Sequence, residues 1–305
     1  MLQLMIGTNI PFMQYRRMAY LFSGILLIAT IGWLLTKGPR YSVDFTGGQL
    51  LQVRTSAILP ADQVRRALDG AGLHGIEMQQ MKGDQANEFM IRAQVAGDAK
   101  DLFPSVQRAI QTQFPGTTVE FRGISSVGPK VGGELRSKAI YAILLSLGGI
   151  LLYVGIRYEF KFAFGAVAAV FHDVLVTLGM LMFTHREVSL TVVAALLTIA
   201  GYSINDTIVV FDRIRERSKA LKKEKHSRAM DIAVNETLSR TVITAFTVFL
   251  SALALFVWGG EVLRDFSFAM LVGVVFGTYS SVYVASALAL DIWISLDRRK
   301  GIRAE

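Results

Sequence analysis

The sequence predicts a membrane protein with six transmembrane α-helices and one α+β domain inserted after the first of them. The chain has 305 residues, of which 52% are hydrophobic, and its mean hydropathy is +0.43. The apolar residues collect in runs near the length that a helix needs to cross a ~30 Å hydrocarbon core. All six prolines precede residue 130, so the rest of the chain lacks the residue that breaks helices most strongly. A soluble fold is therefore excluded for most of the chain.

The six predicted spans follow the boundaries of the apolar runs. They cover residues 18–36, 138–156, 162–184, 188–211, 241–258 and 266–294. The first span follows Arg16 and Arg17 and has no small-residue cleavage site after it, which indicates a retained anchor rather than a cleaved signal peptide. The last span is longer than a bilayer requires, so we expect it to tilt or to extend beyond the interface.

Lysine and arginine residues are concentrated in alternate connections between the spans. They precede the first span, occur between the second and third, and are dense at residues 213–228 and in the tail after residue 297. Because basic loops stay in the cytoplasm, we predict that residues 1–37 hold a cytoplasmic N-terminus and the first helix, and that residues 38–137 lie in the periplasm. Residues 138–305 then hold the other helices, a cytoplasmic loop at 212–240 and a cytoplasmic tail. These flanks account for the net charge of +8 without a nucleic-acid partner.

The inserted segment 38–137 has the pattern of a small α+β domain. Strands are predicted at 49–56, 76–81, 88–95 and 117–123, helices at 60–71 and 101–114, and a turn at 82–87. The order β-α-β-β-α-β is that of ferredoxin-like domains. The segment has no metal-ligand spacing, nucleophile motif or phosphate-binding loop, and the chain has no cysteine. We therefore expect a binding or moving module rather than an enzyme, with no cofactor and no metal.

Three predicted spans carry polar side chains, which mark candidate functional positions. An ionisable residue inside a bilayer costs at least ~2.5–3.5 kcal/mol, so its presence needs a reason. In the third span the candidates are His172 and Asp173, within a four-residue repeat of small and polar residues. The fourth and fifth spans contribute Thr198, Tyr202, Asn205, Asp206, Arg240, Thr244 and Thr247.

Asp206 and Arg240 have the most suggestive positions among these candidates. Asp206 lies six residues before Asp212 at the predicted cytoplasmic boundary, a depth of about 9 Å, and Arg240 begins the fifth span on the same side. The aspartate could alternate between a protonated form and an ionised form paired with Arg240, which is the chemistry of a proton relay. Spacing alone leaves a static salt bridge or hydrogen bond equally open. For Asp173 it favours a buried hydrogen-bonding role.

The sixth span repeats small residues every four positions, at Gly273, Gly277, Ser281 and Ala285. Small residues at this spacing let helix backbones approach closely, so we expect packing to be their role. The spacing does not decide whether the facing helix belongs to this chain or to another subunit.

Several motifs resemble those of the SecF family, the smaller membrane subunits of the bacterial SecDF protein-export complex in the RND superfamily. The matching stretches are residues 43–48 (VDFTGG), 125–132 (SSVGPKVG), 171–174 (FHDV), 201–207 (GYSINDT), 211–216 (FDRIRE) and 235–241 (NETLSRT). They occur in order over nearly the whole chain, which makes the resemblance highly specific.

The resemblance implies an RND-type half of six helices that pairs with the related subunit SecD in the bacterial inner membrane. It also implies association with the SecYEG translocon, with YajC and YidC as further candidate partners, and use of the proton-motive force to draw unfolded polypeptide outward. Asp206 matches the family's membrane aspartate and Arg240 its companion arginine. Two other functions compete: a scaffold that stabilises the translocon without proton coupling, and small-molecule efflux, which the single small outer domain disfavours.

Overall fold

The structure, a computed structural model, describes residues 8–73, 76–81, 87–93, 102–158, 160–221 and 224–299. The chain divides into a helical unit, Met1–Arg40 with Ile140–Glu305, and an inserted unit, Tyr41–Ala139. The helices are α1 (Arg16–Thr36), α2 (Val43–Thr46), α3 (Ala61–Gly70), α4 (Leu102–Gln113), α5 (Pro129–Arg157), α6 (Phe160–Phe183), α7 (Leu190–Ala220), α8 (His226–Trp258), α9 (Gly260–Ser280) and α10 (Ser286–Arg299). The strands of the inserted unit are β1 (Gly48–Thr55), β2 (Glu77–Gln80), β3 (Glu88–Ala93) and β4 (Val119–Val127).

The described residues contain six helical segments long and apolar enough to cross a membrane, which confirms the predicted number. These segments are Phe12–Thr36, Lys130–Arg157, Lys161–Phe183, Leu190–Ala220, His226–Trp258 and Leu263–Arg299. Most of the predicted connection at 212–240 is helical, because α7 continues to Ala220 and α8 begins at His226. Hydropathy falls where Lys, Arg and Glu begin, but these residues are good helix formers, so the helices continue after the apolar runs end.

The sixth segment is not one regular α-helix. A π-helical turn, Ser281–Ala285, separates α9 from α10. The side-chain hydroxyl of Ser286 donates to the carbonyl oxygen of Ser281 at 2.9 Å, which supplies a partner to that carbonyl at the irregularity. Single π-turns occur frequently at functional sites, and apolar periodicity gives no signal for one.

The helices of this unit are buried to very different degrees. In the apolar 18-residue stretch of each helix, the buried share is 56% in α6 and 50% in α7. It is only 11% in α8 and 6% in α5. The core contains Phe162 and Ala166 of α6, Phe211 of α7 and Ala285 of the π-turn. The third and fourth spans are therefore central in this chain, and α5 and α8 present wide faces that its own helices leave uncovered.

Small residues allow close approach in this core, as the four-residue repeat predicts. A Cβ atom on Gly165 would lie 2.6 Å from the carbonyl oxygen of Ala285, and one on Gly277 would lie 3.5 Å from the Cβ of Ser203. A Cβ on Gly273 would collide with the side chain of Ile199. The glycines of the sixth segment therefore face α7 of the same chain.

The inserted unit has the predicted β-α-β-β-α-β order. Its strands form one antiparallel sheet in the order β2-β3-β1-β4, and its core includes Leu51, Val53, Phe89 and Val106. β4 continues to Val127, beyond the predicted end at 123, because Gly48 to Gln52 of β1 pair with it. Residues 82–86 of the predicted turn at 82–87, the predicted end of β3 at 94–95 and the predicted start of the second helix at 101 lie outside the described residues.

Two glycines of the matched motifs have local structural roles in this unit. Gly47 ends α2 with a φ of 74°, in the left-handed region that glycine enters without a steric penalty. Gly132, in the first turn of α5, is buried against the end of α2. A Cβ there would lie 2.9 Å from the carbonyl oxygen of Phe45. The motifs at 43–48 and 125–132 therefore pack against each other.

Candidate functional site

Asp206 is buried between three segments of the helical unit and is held by hydroxyl groups. Its side chain belongs to α7 and is 5% exposed. Thr241 of α8 donates to Oδ1 at 2.7 Å, and Ser281 of the π-turn donates to Oδ2 at 2.9 Å. A carboxylate buried in a membrane helix must find such donors inside the protein.

Asp173 of α6 forms a second buried acidic site. It is fully buried, and its Oδ2 atom accepts hydrogen bonds from Ser203 of α7 and Ser280 of α9, both at 2.6 Å. Its Oδ1 atom lies 3.0 Å from Nδ1 of His172, which is 2% exposed. The structure therefore places Asp173 and His172 in direct contact and gives Asp173 three polar partners.

Arg240 lies next to Thr241 on α8, but its side chain is exposed on this chain. Within the described residues, no ion pair joins Arg240 to Asp206, although the cation is near enough to act on that carboxyl electrostatically. The ion pair between Asp206 and Arg240, one of the alternatives that the sequence leaves open, is therefore not the arrangement in this structure. The two hydroxyl donors hold the acid instead.

The other polar candidates of α7 and α8 lie mostly on the outside of this chain. Tyr202 is half-buried, and its hydroxyl lies near those of Thr244 and Thr278. The exposed residues, called here the polar face, are Thr198, Asn205, Arg240, Thr244, Thr247 and Ser251. The hydroxyls of Thr244, Thr247 and Ser251 donate to carbonyls of their own helix, which reduces the cost of their exposure in an apolar environment.

Polar residues at the end of α7 and the start of α8 form a network at the basic end of the bundle. Glu236 pairs with Arg213 at 2.7 Å and with Arg217 at 2.6 Å. Asp231 accepts a hydrogen bond from the backbone N–H of Met13 at 2.8 Å, so the segment before α1 is fixed to α8. Such exposed ion pairs contribute only ~0–1 kcal/mol each, and their role here is to hold the two helix ends in register.

Tyr158, in the connection between α5 and α6, forms a separate contact with α7. Its hydroxyl donates to Oδ1 of Asp212 at 2.9 Å. Burial, followed by the hydrogen bond to Asp212, raises the pKa of Tyr158 to about 12. Tyr158 therefore stays a neutral donor at physiological pH. Asp291 of α10 has two partners on α1: Arg16 at 3.1 Å and Tyr20 at 2.7 Å.

Sequence patterns identify the two acids but not the hydroxyl groups that bind them. Ser203, Thr241 and Ser280 are not among the predicted site residues, and Ser281 is predicted only as a packing residue. Ser203 lies three residues before Asp206 yet donates to Asp173 on the neighbouring helix. This partnership depends on how α6 and α7 pack, and no spacing within one helix indicates it. The described residues contain no cluster of His, Asp and Glu suited to a metal ion.

Known proteins share both the motifs and the fold described above. Two family profiles match: "Protein export membrane protein SecD/SecF, C-terminal" over residues 107–294 and "SecD/SecF GG Motif" over residues 32–57. The protein translocase subunit SecF of Rhodothermus marinus is 41% identical over 292 residues, which cover 94% of each chain. That of Vibrio alginolyticus is 44% identical over 288 residues, 94% of this chain and 90% of the relative. This chain belongs to the SecF family.

Solved SecDF structures have the same fold as this SecF-family chain. The crystal structure of SecDF from Thermus thermophilus, described as a translocon-associated membrane protein, matches with a TM-score of 0.83 and 38% identity. The match covers 95% of this chain and 39% of that one. A second, SecDF in a super-membrane-facing form, matches with a TM-score of 0.74 and 36% identity. This chain therefore spans about two fifths of the solved SecDF chains but nearly the full length of its SecF relatives. The resemblance seen in the motifs is confirmed.

Proposed function

We propose that this SecF-family chain couples the proton-motive force to the export of unfolded polypeptides across the bacterial inner membrane. The observation that carries this proposal is the environment of Asp206. The acid is buried in a membrane helix, and its described hydrogen-bond partners are hydroxyl groups, with the exposed Arg240 nearby. A hydroxyl can donate to an ionised carboxylate and can also accept from a protonated carboxyl. Asp206 can therefore be accommodated in both charge states.

The energy available for such a step is sufficient to bias a conformational change. Moving one elementary charge through a membrane potential of 100 mV releases roughly 2.3 kcal/mol. A difference of that size changes the ratio of two conformations by more than tenfold at ~1.4 kcal/mol per factor of ten. Asp206 is bonded to α8 and to the π-turn, so a change in its charge acts directly on the packing of these elements.

The polar face of α7 and α8 supports a partner subunit within the membrane. Arg240 is exposed on this chain, and an uncovered cation at membrane depth costs at least ~2.5 kcal/mol. A related membrane subunit that packs on this face would cover Arg240 and Asn205 and would enclose the outer side of the Asp206 site. The solved relatives are SecDF chains of more than twice this length, so we assign this position to a SecD subunit. SecYEG is the proposed translocon partner, with YajC and YidC as further candidates.

The proposed orientation places the basic ends of the helices in the cytoplasm, together with both termini. The inserted unit is then periplasmic, where it meets the emerging polypeptide. Its described residues include no group of side chains that could hold a metal ion. Its proposed role is to bind and release polypeptide as the membrane helices change conformation.

The discriminating experiment replaces Asp206 with asparagine in membranes that contain SecD and the translocon. Asp206→Asn keeps the size of the side chain and its capacity for hydrogen bonds but removes the titratable proton. We expect normal amounts of complex and loss of the proton-dependent part of export. Asp212→Asn, the same change six residues further along α7, is the control and should retain that part. A scaffold without proton coupling predicts instead that export falls only in proportion to the amount of complex.

A further inference from the structure

The carboxyl group of Asp173 is enclosed more completely than that of Asp206, and the proton relay proposed above does not use it. Asp173 is fully buried and receives hydrogen bonds from two other helices, through Ser203 and Ser280. An acid that served only to join helices would need no ionisable partner. Asp173 has one, because Nδ1 of His172 lies 3.0 Å from its Oδ1 atom.

His172 gives this acid a second place to hold a proton. A proton between Nδ1 and Oδ1 can reside on either atom, and the pair is electrically neutral in both cases, as a protonated carboxyl with neutral imidazole or as a carboxylate with imidazolium. Neutrality avoids the large cost of leaving a single unpaired charge buried in a low-dielectric interior. The other ring nitrogen, Nε2, is buried and has no hydrogen-bond partner among the described residues. In both neutral forms Nε2 carries the second ring proton, and it can release that proton and take it back without breaking a hydrogen bond to a described residue.

Ser280 and Ser281 connect this pair to Asp206. Successive residues of a helix point about 100° apart, since 3.6 residues make a turn, so Ser280 reaches α6 and Ser281 reaches α7. Each hydroxyl has one hydrogen and two acceptors within reach. Ser280 Oγ lies 2.6 Å from Asp173 and 3.1 Å from the carbonyl oxygen of Gly277. Ser281 Oγ lies 2.9 Å from Asp206 and 3.0 Å from the carbonyl oxygen of Thr278.

This choice of acceptors makes each serine sensitive to the charge of its acid. An ionised carboxylate attracts a donor about twice as strongly as a neutral acceptor does. When the acid is ionised, the serine therefore bonds across to it, and when the acid is protonated, the backbone carbonyl of the same turn competes successfully. Because the two serines are adjacent at the start of the π-turn, a rotation of one backbone segment changes both hydrogen bonds.

We propose that Asp173 and His172 form a second proton-holding site of the membrane unit, coupled to Asp206 through Ser280 and Ser281. The proposal rests on the proposed function, because it requires Asp206 to change its protonation state during proton-coupled export. The polar groups in contact with the pair are Ser203 of α7 and Ser280 of α9, and the ring of Tyr279 of α9 lies 6.1 Å from that of His172. Tyr279 is in turn bonded to Ser23 of α1. In this arrangement the charge state of one acid sets the donors available to the other.

Infrared difference spectroscopy of the full-length protein, purified with its partner subunit, tests the proposal without relying on export. The C=O stretch of a protonated carboxyl group is followed during a pH titration, and Asp206→Asn identifies the band of Asp206. We expect Asp173→Asn to remove one further band and to move the titration midpoint of Asp206 by about 1 pH unit, the size at which two sites titrate as a pair. Ser280→Ala, which removes only the connecting hydroxyl, should move that midpoint in a folded protein.

Ser267→Ala is the matched control, because Ser267 is a fully buried serine of the same helix that bonds only to carbonyls of its own turn. It should leave the midpoint unchanged. Should Asp173→Asn fail to accumulate, the pair Ser280→Ala and Ser203→Ala carries the same prediction. An unchanged Asp206 midpoint in these variants would overturn the coupling. If Asp206→Asn abolishes proton-dependent export but Asp173→Asn removes no carboxyl band, the second site is overturned while the proposed function stands.

Discussion

Thr241 donates its hydroxyl to Oδ1 of Asp206 at 2.7 Å, from the position directly after Arg240 on α8. The two neighbours on this helix have opposite environments, since Thr241 is fully buried and Arg240 is exposed. Consecutive helical positions point about 100° apart, so α8 directs a hydroxyl to the acid and a cation to the polar face. The acid is thus held inside one chain, while the neighbouring cation lies on the exposed polar face.

Replacement of Thr241 should separate this hydrogen bond from the packing around it. Thr241→Val keeps the shape of the side chain and removes the donor, and Thr241→Ser keeps the donor. A hydrogen bond to a charged group contributes about 1.5–3 kcal/mol, so we expect Thr241→Val to reduce proton-dependent export about tenfold or more and Thr241→Ser to retain most of it. Export driven by a proton gradient in membrane vesicles measures the effect.

The control for this change lies one turn earlier on the same helix. Thr237 is buried, and its hydroxyl donates only to the carbonyl oxygens of Ala233 and Val234. Thr237→Val should leave proton-dependent export close to normal. Equal losses in Thr237→Val and Thr241→Val would show that a general packing defect, rather than the bond to Asp206, causes the effect.

The polar face predicts where the partner subunit can be captured. A photo-crosslinking residue at position 247 replaces Thr247, which is exposed on α8 at the depth of the apolar run. We expect an adduct with the SecD subunit there, because position 247 lies two turns along α8 from the exposed Arg240, whose charge requires a protein neighbour at membrane depth. The same residue at position 145 replaces Leu145, which is 79% exposed on α5 and apolar. That site should give no SecD adduct, and the reverse pattern would place the partner on α5.

The sequence predicts the architecture well because long apolar runs and strand-turn patterns are local signals. It predicts Asp173 and Asp206 as site residues for a similar reason, since any ionisable residue in an apolar run is conspicuous. It does not predict Ser203 and Ser280 as their partners, because serine is ordinary in membrane helices and only the packing of helices brings it to an acid. The position of Arg240 is a similar case. Its place in the sequence suggests an ion pair, but helix rotation determines that Thr241 faces the acid.

The close approach of Gly132 to α2 gives a prediction for the inserted unit. A methyl group at Gly132 would lie 2.9 Å from the carbonyl oxygen of Phe45 and 3.0 Å from the backbone nitrogen of Gly47. Because both contacts are with backbone, relief requires α2 to move, and overpacking of this kind costs about 1–3 kcal/mol. We expect Gly132→Ala to increase cleavage of the inserted unit by protease in the full-length protein. Gly133→Ala provides the comparison, since a Cβ there meets nothing within 4 Å, and it should be cleaved no faster than the unchanged protein.

Gly165 provides the corresponding test in the membrane unit, where packing and the acidic sites are connected. A Cβ on Gly165 would lie 2.6 Å from the carbonyl oxygen of Ala285, the last residue of the π-turn. Gly165→Ala must push α6 away from that turn, and α6 carries Asp173 two turns further along. We expect a loss of about 1–3 kcal/mol in stability together with reduced proton-dependent export, because Asp173 moves away from Ser280.

Thermal unfolding in detergent and export in vesicles measure the two effects of Gly165→Ala separately. Gly148→Ala on α5 is the matched control, because a Cβ there meets nothing within 4 Å and alanine favours a helix over glycine by ~1 kcal/mol. It should unfold at the same temperature or slightly higher. A Gly165→Ala protein with lowered stability but full export per folded complex would show that the register of α6 against the π-turn supports the fold only. Loss of export beyond the loss of folded complex would show that the same contact keeps Asp173 within reach of Ser280, which the coupling of the two acids requires.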